Sequence, residues 1–107
     1  MPSYAARSDH ALRVAPAGAC DGAIVLRKKP SEYLRQMYFD SLVFTAEALR
    51  HLVAEVGASQ VMMGSDHPIP WQTAAVDHIL HAPTLTDDER IAILGGTAAR
   101  LLGIKSA

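Results

Sequence analysis

Over residues 31–107 the apolar positions fall in short blocks, and each block has its own period. Leu49, Leu52, Val53 and Val56 stand at i, i+3, i+4 and i+7, one stripe along a helix from Ala46 to Val56. Thr45 is placed to cap that helix with its hydroxyl, and Gly57 to end it in a left-handed conformation. Ahead of it, Met37 to Phe44 mixes aromatic, β-branched and apolar residues in the manner of a largely buried strand. Behind it, Gln60 to Gly64 forms a second short apolar run, halted by Ser65, Asp66, His67 and prolines at 68 and 70. Residues 73 to 81 predict a helix through Val76, Ile79 and Leu80, and Pro83 breaks the chain after it. Thr86 and Glu89 have the spacing of a capping box for a third helix running to about Leu94. Gly95 and Gly96 then interrupt, Thr97 recaps, and Ala98 to Leu102 make a final turn or two before Gly103. Ser31 can cap a short helix through about Arg35. Residues 1–30 hold Pro2, Pro16, Gly18, Gly22 and Pro30 without a sustained period and predict an irregular lead-in.

The predicted order over 31–107 is strand, helix, strand, helix, helix (βαβαα), with strands apolar on both faces. Such strands belong to an α/β fold with a parallel sheet covered by helices. Two parallel strands leave two open edges, so the chain reads as part of a larger α/β body or as an element that needs a partner. At 107 residues it holds a single domain's worth of chain.

Composition narrows the function. Half the residues are hydrophobic and 20% charged, as in folded globular proteins. A net charge of -1 lacks the basic excess that tracks phosphates, so nucleic acid is not an expected partner. No apolar run approaches the roughly 18 residues that cross a bilayer, so no membrane partner is expected. Arg7, Asp9, His10 and Arg13 stand where a signal peptide would be apolar. Cys20 is the only cysteine; it fits a reducing compartment, with cytoplasm the expected location, and reads as an inert thiol.

Asp66 is the foremost chemical candidate because it sits at the carboxyl end of an apolar strand, where parallel α/β folds place ligands. A carboxylate there can bind a divalent cation such as zinc, or it can simply start the turn beside Pro68. His67 would point to the opposite face of an extended segment, either walling a pocket or exposed. Asp40, inside the first predicted strand, should face the functional end or meet a buried donor. Trp71 and Tyr38 could line a pocket or belong to the core. His51, His78 and His81 read as solvated. No nucleophile elbow, phosphate-binding loop, dinucleotide glycine pattern or His-Glu-x-x-His occurs.

Several stretches together resemble the C-terminal portion of amidohydrolase-related metal enzymes. They are Pro30-Ser31-Glu32-Tyr33-Leu34, Tyr38-Phe39-Asp40-Ser41-Leu42-Val43, Ala48-Leu49, Val56-Gly57-Ala58, Val61-Met62-Met63-Gly64-Ser65-Asp66-His67-Pro68 and Leu94-Gly95-Gly96-Thr97-Ala98-Ala99-Arg100-Leu101-Leu102-Gly103. The resemblance implies a TIM (β/α)8 barrel, of which this chain would carry about the last two βα units plus terminal helices. It implies that Asp66 binds the active-site divalent metal, usually zinc. Metal-activated water would then hydrolyse, or prepare for decarboxylation, a small carboxylic acid. His10 looks like part of a family stretch ending in an arginine that grips substrate carboxylate across a homodimer interface. Ala15 stands at that arginine's position, followed by the expected Pro16, so the carboxylate clamp is expected to be missing unless Arg13 takes over. The family's other metal histidines would precede Met1, so this chain alone is expected to be inactive. In the complete enzyme, Asp66→Ala should remove activity with little effect on stability. The alternative is a non-catalytic α/β module stabilised by a partner or by self-association.

Overall fold

The structure, a computed structural model, describes residues 4–14, 26–70 and 74–105. The chain divides into two compact units, Met1–Met37 and Tyr38–Ala107.

The first unit contains α1 (Ala5–Val14) and α2 (Pro30–Leu34). Over residues 5–14 the expected irregular lead-in is instead a ten-residue helix rich in good helix formers, Ala5, Ala6, Ala11 and Leu12 among them. It buries none of its residues, which is why it prints no apolar stripe on the sequence. A tertiary link supports it: Asp9 accepts a hydrogen bond from the Ser31 amide at 2.9 Å and another from the Ser31 hydroxyl. Ser31 therefore does not cap α2; Pro30 opens that helix, and the Glu32 carboxylate accepts from the Lys29 amide at 2.8 Å.

The second unit holds β1 (Phe39–Asp40), α3 (Ala46–Val56), β2 (Val61–Met62), α4 (Ala75–Leu80), α5 (Asp87–Ile91) and α6 (Thr97–Leu102). The strands pair in parallel, Phe39 opposite Val61 and Asp40 opposite Met62, as the α/β reading requires. β1 is much shorter than Met37–Phe44. Its start is taken by the end of a turn, Met37 N donating to Leu34 O at 3.1 Å. Its end curls through bonds from Val43 N to Ser41 O and from Thr45 N to Val43 O, and Phe44 has φ 63.

The apolar stripe of α3 faces inward: Leu49, Leu52 and Val53 are buried, and Thr45 caps the helix by accepting from Ala48 N. They join Val61, Ile79, Ala82, Leu85 and Ile93 in one core, with Phe39, Val43, Val56 and Leu94 packed on it. The capping box forms as the spacing predicts, with Glu89 N bonding Thr86 Oγ1 at 3.2 Å and Thr86 N bonding Glu89 Oε2 at 2.8 Å.

Gly95 and Gly96 do not interrupt the helix. A π-helical turn, Ala92–Gly96, joins α5 to α6 without a break. Thr97 is an interior helical residue, fully buried, and its hydroxyl donates to the Ala58 carbonyl at 2.9 Å. The helix ends at Gly103, φ 68, where Ile104 N reaches Ala99 O at 2.8 Å and Gly103 N reaches Arg100 O at 3.3 Å. Among the described residues no helix is long and apolar enough to cross a membrane.

Candidate functional site

The carboxyl end of β2 is held on two sides. Met63 N donates to the carbonyl of Ile93 at 2.8 Å, and Gly64 N to the hydroxyl of Ser41 at 3.4 Å. Ser41, 1% exposed, also donates its own amide to Met62 O at 2.9 Å, so it laces the ends of the two strands together. The two strands meet so closely beyond the paired residues that a Cβ built on Gly64 would lie 2.9 Å from the Cβ of Asp40.

Two residues on, Asp66 has φ 60. Left-handed backbone costs an L-residue about 1–2 kcal/mol, and Asp is among the side chains that tolerate it best. The turn closes with Ile69 N donating to Asp66 O at 2.9 Å, the His67–Pro68 peptide being cis. His67 N donates to Ser65 Oγ at 3.4 Å. Because Asp66 is not extended, the strand alternation expected to separate it from His67 does not run through this position. Both side chains are exposed.

Asp40 does not meet a buried donor. Its side chain is exposed, and Oδ1 accepts from Leu42 N at 2.8 Å, a local turn that holds it beside Gly64. Beside the strand exit lies a cavity of about 280 Å³, lined by Met63, Ser65 and residues 74–77. Trp71 and Cys20 lie outside the described residues. His78 is not solvated as expected: it is half-buried, with Nε2 buried and unpartnered among the described residues. His81 is exposed, its Nδ1 3.0 Å from Asp77 O.

In the first unit, His10 and Arg13 come together on one face of α1, His10 Nδ1 lying 2.8 Å from the Arg13 guanidinium. They line a cavity of about 400 Å³ with Asp9, Lys29, Ala6 and Leu12. The Ser31 hydroxyl and then the Ser31 amide hold the Asp9 carboxyl below its ordinary range, and Lys29 and Arg35 add to the effect. Neither the Asp9–Ser31 link nor the role of Ser41 leaves a local sequence signal, since each spans more than twenty residues.

As a cation ligand, Asp66 offers an exposed carboxylate at a strand end, which suits zinc or a harder divalent ion. Among the described residues, no group of three or more His, Cys, Asp or Glu could complete a coordination set around it.

Comparison with known proteins places this geometry in context. A family model described as amidohydrolase matches residues 16–104. A 2-amino-3-carboxymuconate-6-semialdehyde decarboxylase of Dictyostelium discoideum is 30% identical over 105 residues, covering 97% of this chain and 28% of that protein. The solved 5-carboxyvanillate decarboxylase of Sphingomonas paucimobilis matches with a TM-score of 0.81 at 31% identity, covering 98% of this chain and 31% of that one. The chain spans less than a third of the length of either relative.

Proposed function

The chain belongs to the amidohydrolase family, and from that premise we propose that it is the C-terminal segment of a barrel enzyme that decarboxylates a small carboxylic acid. In this reading β1 and β2 are the last two strands of a TIM (β/α)8 barrel, and their carboxyl ends form part of its mouth. Decarboxylation rather than hydrolysis is favoured because both relatives carry that activity in their names.

The observation that carries the reading is Asp66, an exposed carboxylate set by a left-handed turn at the carboxyl end of a parallel strand. Asp66 would be the ligand that the described residues contribute to a divalent cation, zinc being the first candidate. Bound there, the cation would polarise a substrate oxygen or lower the pKa of a water. The chain's other residues have simpler tasks. His67 borders the mouth beside Asp66. Asp40 shapes the strand crossing through Gly64, and Ser41 keeps the strand ends in register. Arg13, whose guanidinium donates to His10 Nδ1, presents positive charge suited to a substrate carboxylate, in a homodimer across the subunit boundary. Loss of carbon dioxide leaves its electron pair on the substrate carbon, where a proton must replace it. None of the described residues is assigned that proton transfer.

On this account residues 1–107 alone do not turn over substrate. A chimera tests it: this chain replaces the matching third of the Sphingomonas enzyme, and carbon dioxide release from 5-carboxyvanillate is followed. The chimera should be active and the isolated chain inactive. Turnover by the isolated chain with stoichiometric zinc would contradict the segment reading.

A second reading, a non-catalytic module that pairs its sheet edges with a partner or another copy, draws on the sheet's having two strands among the described residues. Light scattering separates the two. A stable compact monomer counts against the module.

A further inference from the structure

We propose that the π-turn Ala92–Gly96 is a positioning device for the exit of β2, with Ile93 and Thr97 as positioning residues that set the direction in which Asp66 leaves the strand. The inference rests on the reading of Asp66 as a ligand, and it concerns how that ligand is aimed.

The geometry follows from helix hydrogen bonding. In an α-helix the carbonyl of residue 93 would be taken by the amide of residue 97. Here Thr97 N instead reaches back five residues, to Ala92 O. When a ladder steps from five-residue to four-residue spacing, one carbonyl is skipped and left free to bond elsewhere. The Ile93 carbonyl accepts from Met63 N at 2.8 Å, three residues before Asp66. Ile93 is itself fixed, its side chain 1% exposed in the core.

The same helical segment holds the entry to the strand. Thr97 Oγ1 donates to Ala58 O at 2.9 Å, and the Arg100 guanidinium to Ser59 O at 2.7 Å. A strand of two paired residues, Val61–Met62, is thus gripped before and after by one continuous helix. So short a ladder cannot fix its own direction; the helix does. A Cβ at Gly95 would meet nothing within 4 Å, and one at Gly96 would make an ordinary contact with the Ile91 carbonyl at 3.4 Å, so the turn has room around both positions.

Deleting Gly95 removes the extra residue and lets the ladder return to α spacing, which claims the Ile93 carbonyl. Amide hydrogen exchange measured by NMR on the 107-residue chain reads the result without metal or substrate. The Met63 amide should exchange roughly tenfold faster, the change that loss of one backbone hydrogen bond brings. The amides of Leu52 and Val53 should keep their rates, and the resonances of Ser65 and Asp66 should move. Unchanged protection at Met63, or an equal loss at Leu52 and Val53, overturns the proposal. Should the deletion not fold, Thr97→Val and Thr97→Ser decide. The valine should move the Gly64, Ser65 and Asp66 resonances and the serine, keeping the hydroxyl, should restore them. Shifts confined to Ala58 and Ser59 overturn the proposal. Because nothing is bound in these measurements, failure of Asp66 as a metal ligand would leave this outcome unaffected, and the reverse holds too.

Discussion

Gly64 and Asp40 face each other across the end of the parallel pair with no room for a methyl group between them, a Cβ on Gly64 falling 2.9 Å from that of Asp40. The absence of a side chain at position 64 is what lets the strands run this close up to the turn that carries Asp66.

Gly64→Ala should therefore force the strand ends apart and destabilise the fold by about 1–3 kcal/mol, the usual range for overpacking. Gly95→Ala, with open space around the new methyl, should be neutral or stabilise by up to about 1 kcal/mol, since alanine is the better helix former. Urea midpoints measured side by side check both, with m unchanged.

Asp66 has φ 60, which alters the expectation that alanine there would leave stability alone. Asp66→Ala should cost about 1 kcal/mol through its left-handed backbone, Asp66→Gly should match or exceed the native stability, and Asp66→Asn should be close to neutral. Thermal or urea unfolding of the three variants gives the order. Asparagine is consequently the substitution that separates loss of the carboxylate from loss of the turn.

Asp9 ties α1 to α2 through Ser31, and its carboxyl is held below the ordinary 3.8 by the Ser31 hydroxyl first and the Ser31 amide second. The native state thus keeps this group ionised where the unfolded chain has begun to take up a proton. Its stabilising effect is complete above pH 3.8 and is lost as pH falls through the lowered native value. The Ser31 amide should lose exchange protection only in that acid range, and Asp9→Asn should abolish the pH dependence. A transition centred near neutral pH would contradict the assignment.

The sequence is most readable where structure is local. The stripe Leu49, Leu52 and Val53, the Thr86–Glu89 box and the glycine stop at 103 all reduce to spacings within one helix, and each is found in place. What the chain hides is settled at long range. α1 buries nothing, and its link runs to Ser31, twenty-two positions away. Gly95 and Gly96 each carry a helix cost of about 1 kcal/mol and so read as a break. The structure keeps them helical alongside bonds from Thr97 and Arg100 to residues 58 and 59 and from Met63 to Ile93. The candidate site divides the same way. Asp66 could be placed at a strand end from its neighbours, but its left-handed backbone, the lacing by Ser41 and the pairing of His10 with Arg13 depend on the folded chain.

The central claim, that Asp66 holds a divalent cation at the mouth of an amidohydrolase barrel, is tested most directly by metal content. The chimera carrying residues 1–107 in place of the matching third of the Sphingomonas enzyme is loaded with zinc, dialysed and analysed for bound metal, with and without Asp66→Asn. The account predicts about one zinc per chain retained with aspartate, and affinity weakened by at least about tenfold with asparagine while the far-ultraviolet circular dichroism stays the same. Equal retention by the two proteins would contradict it.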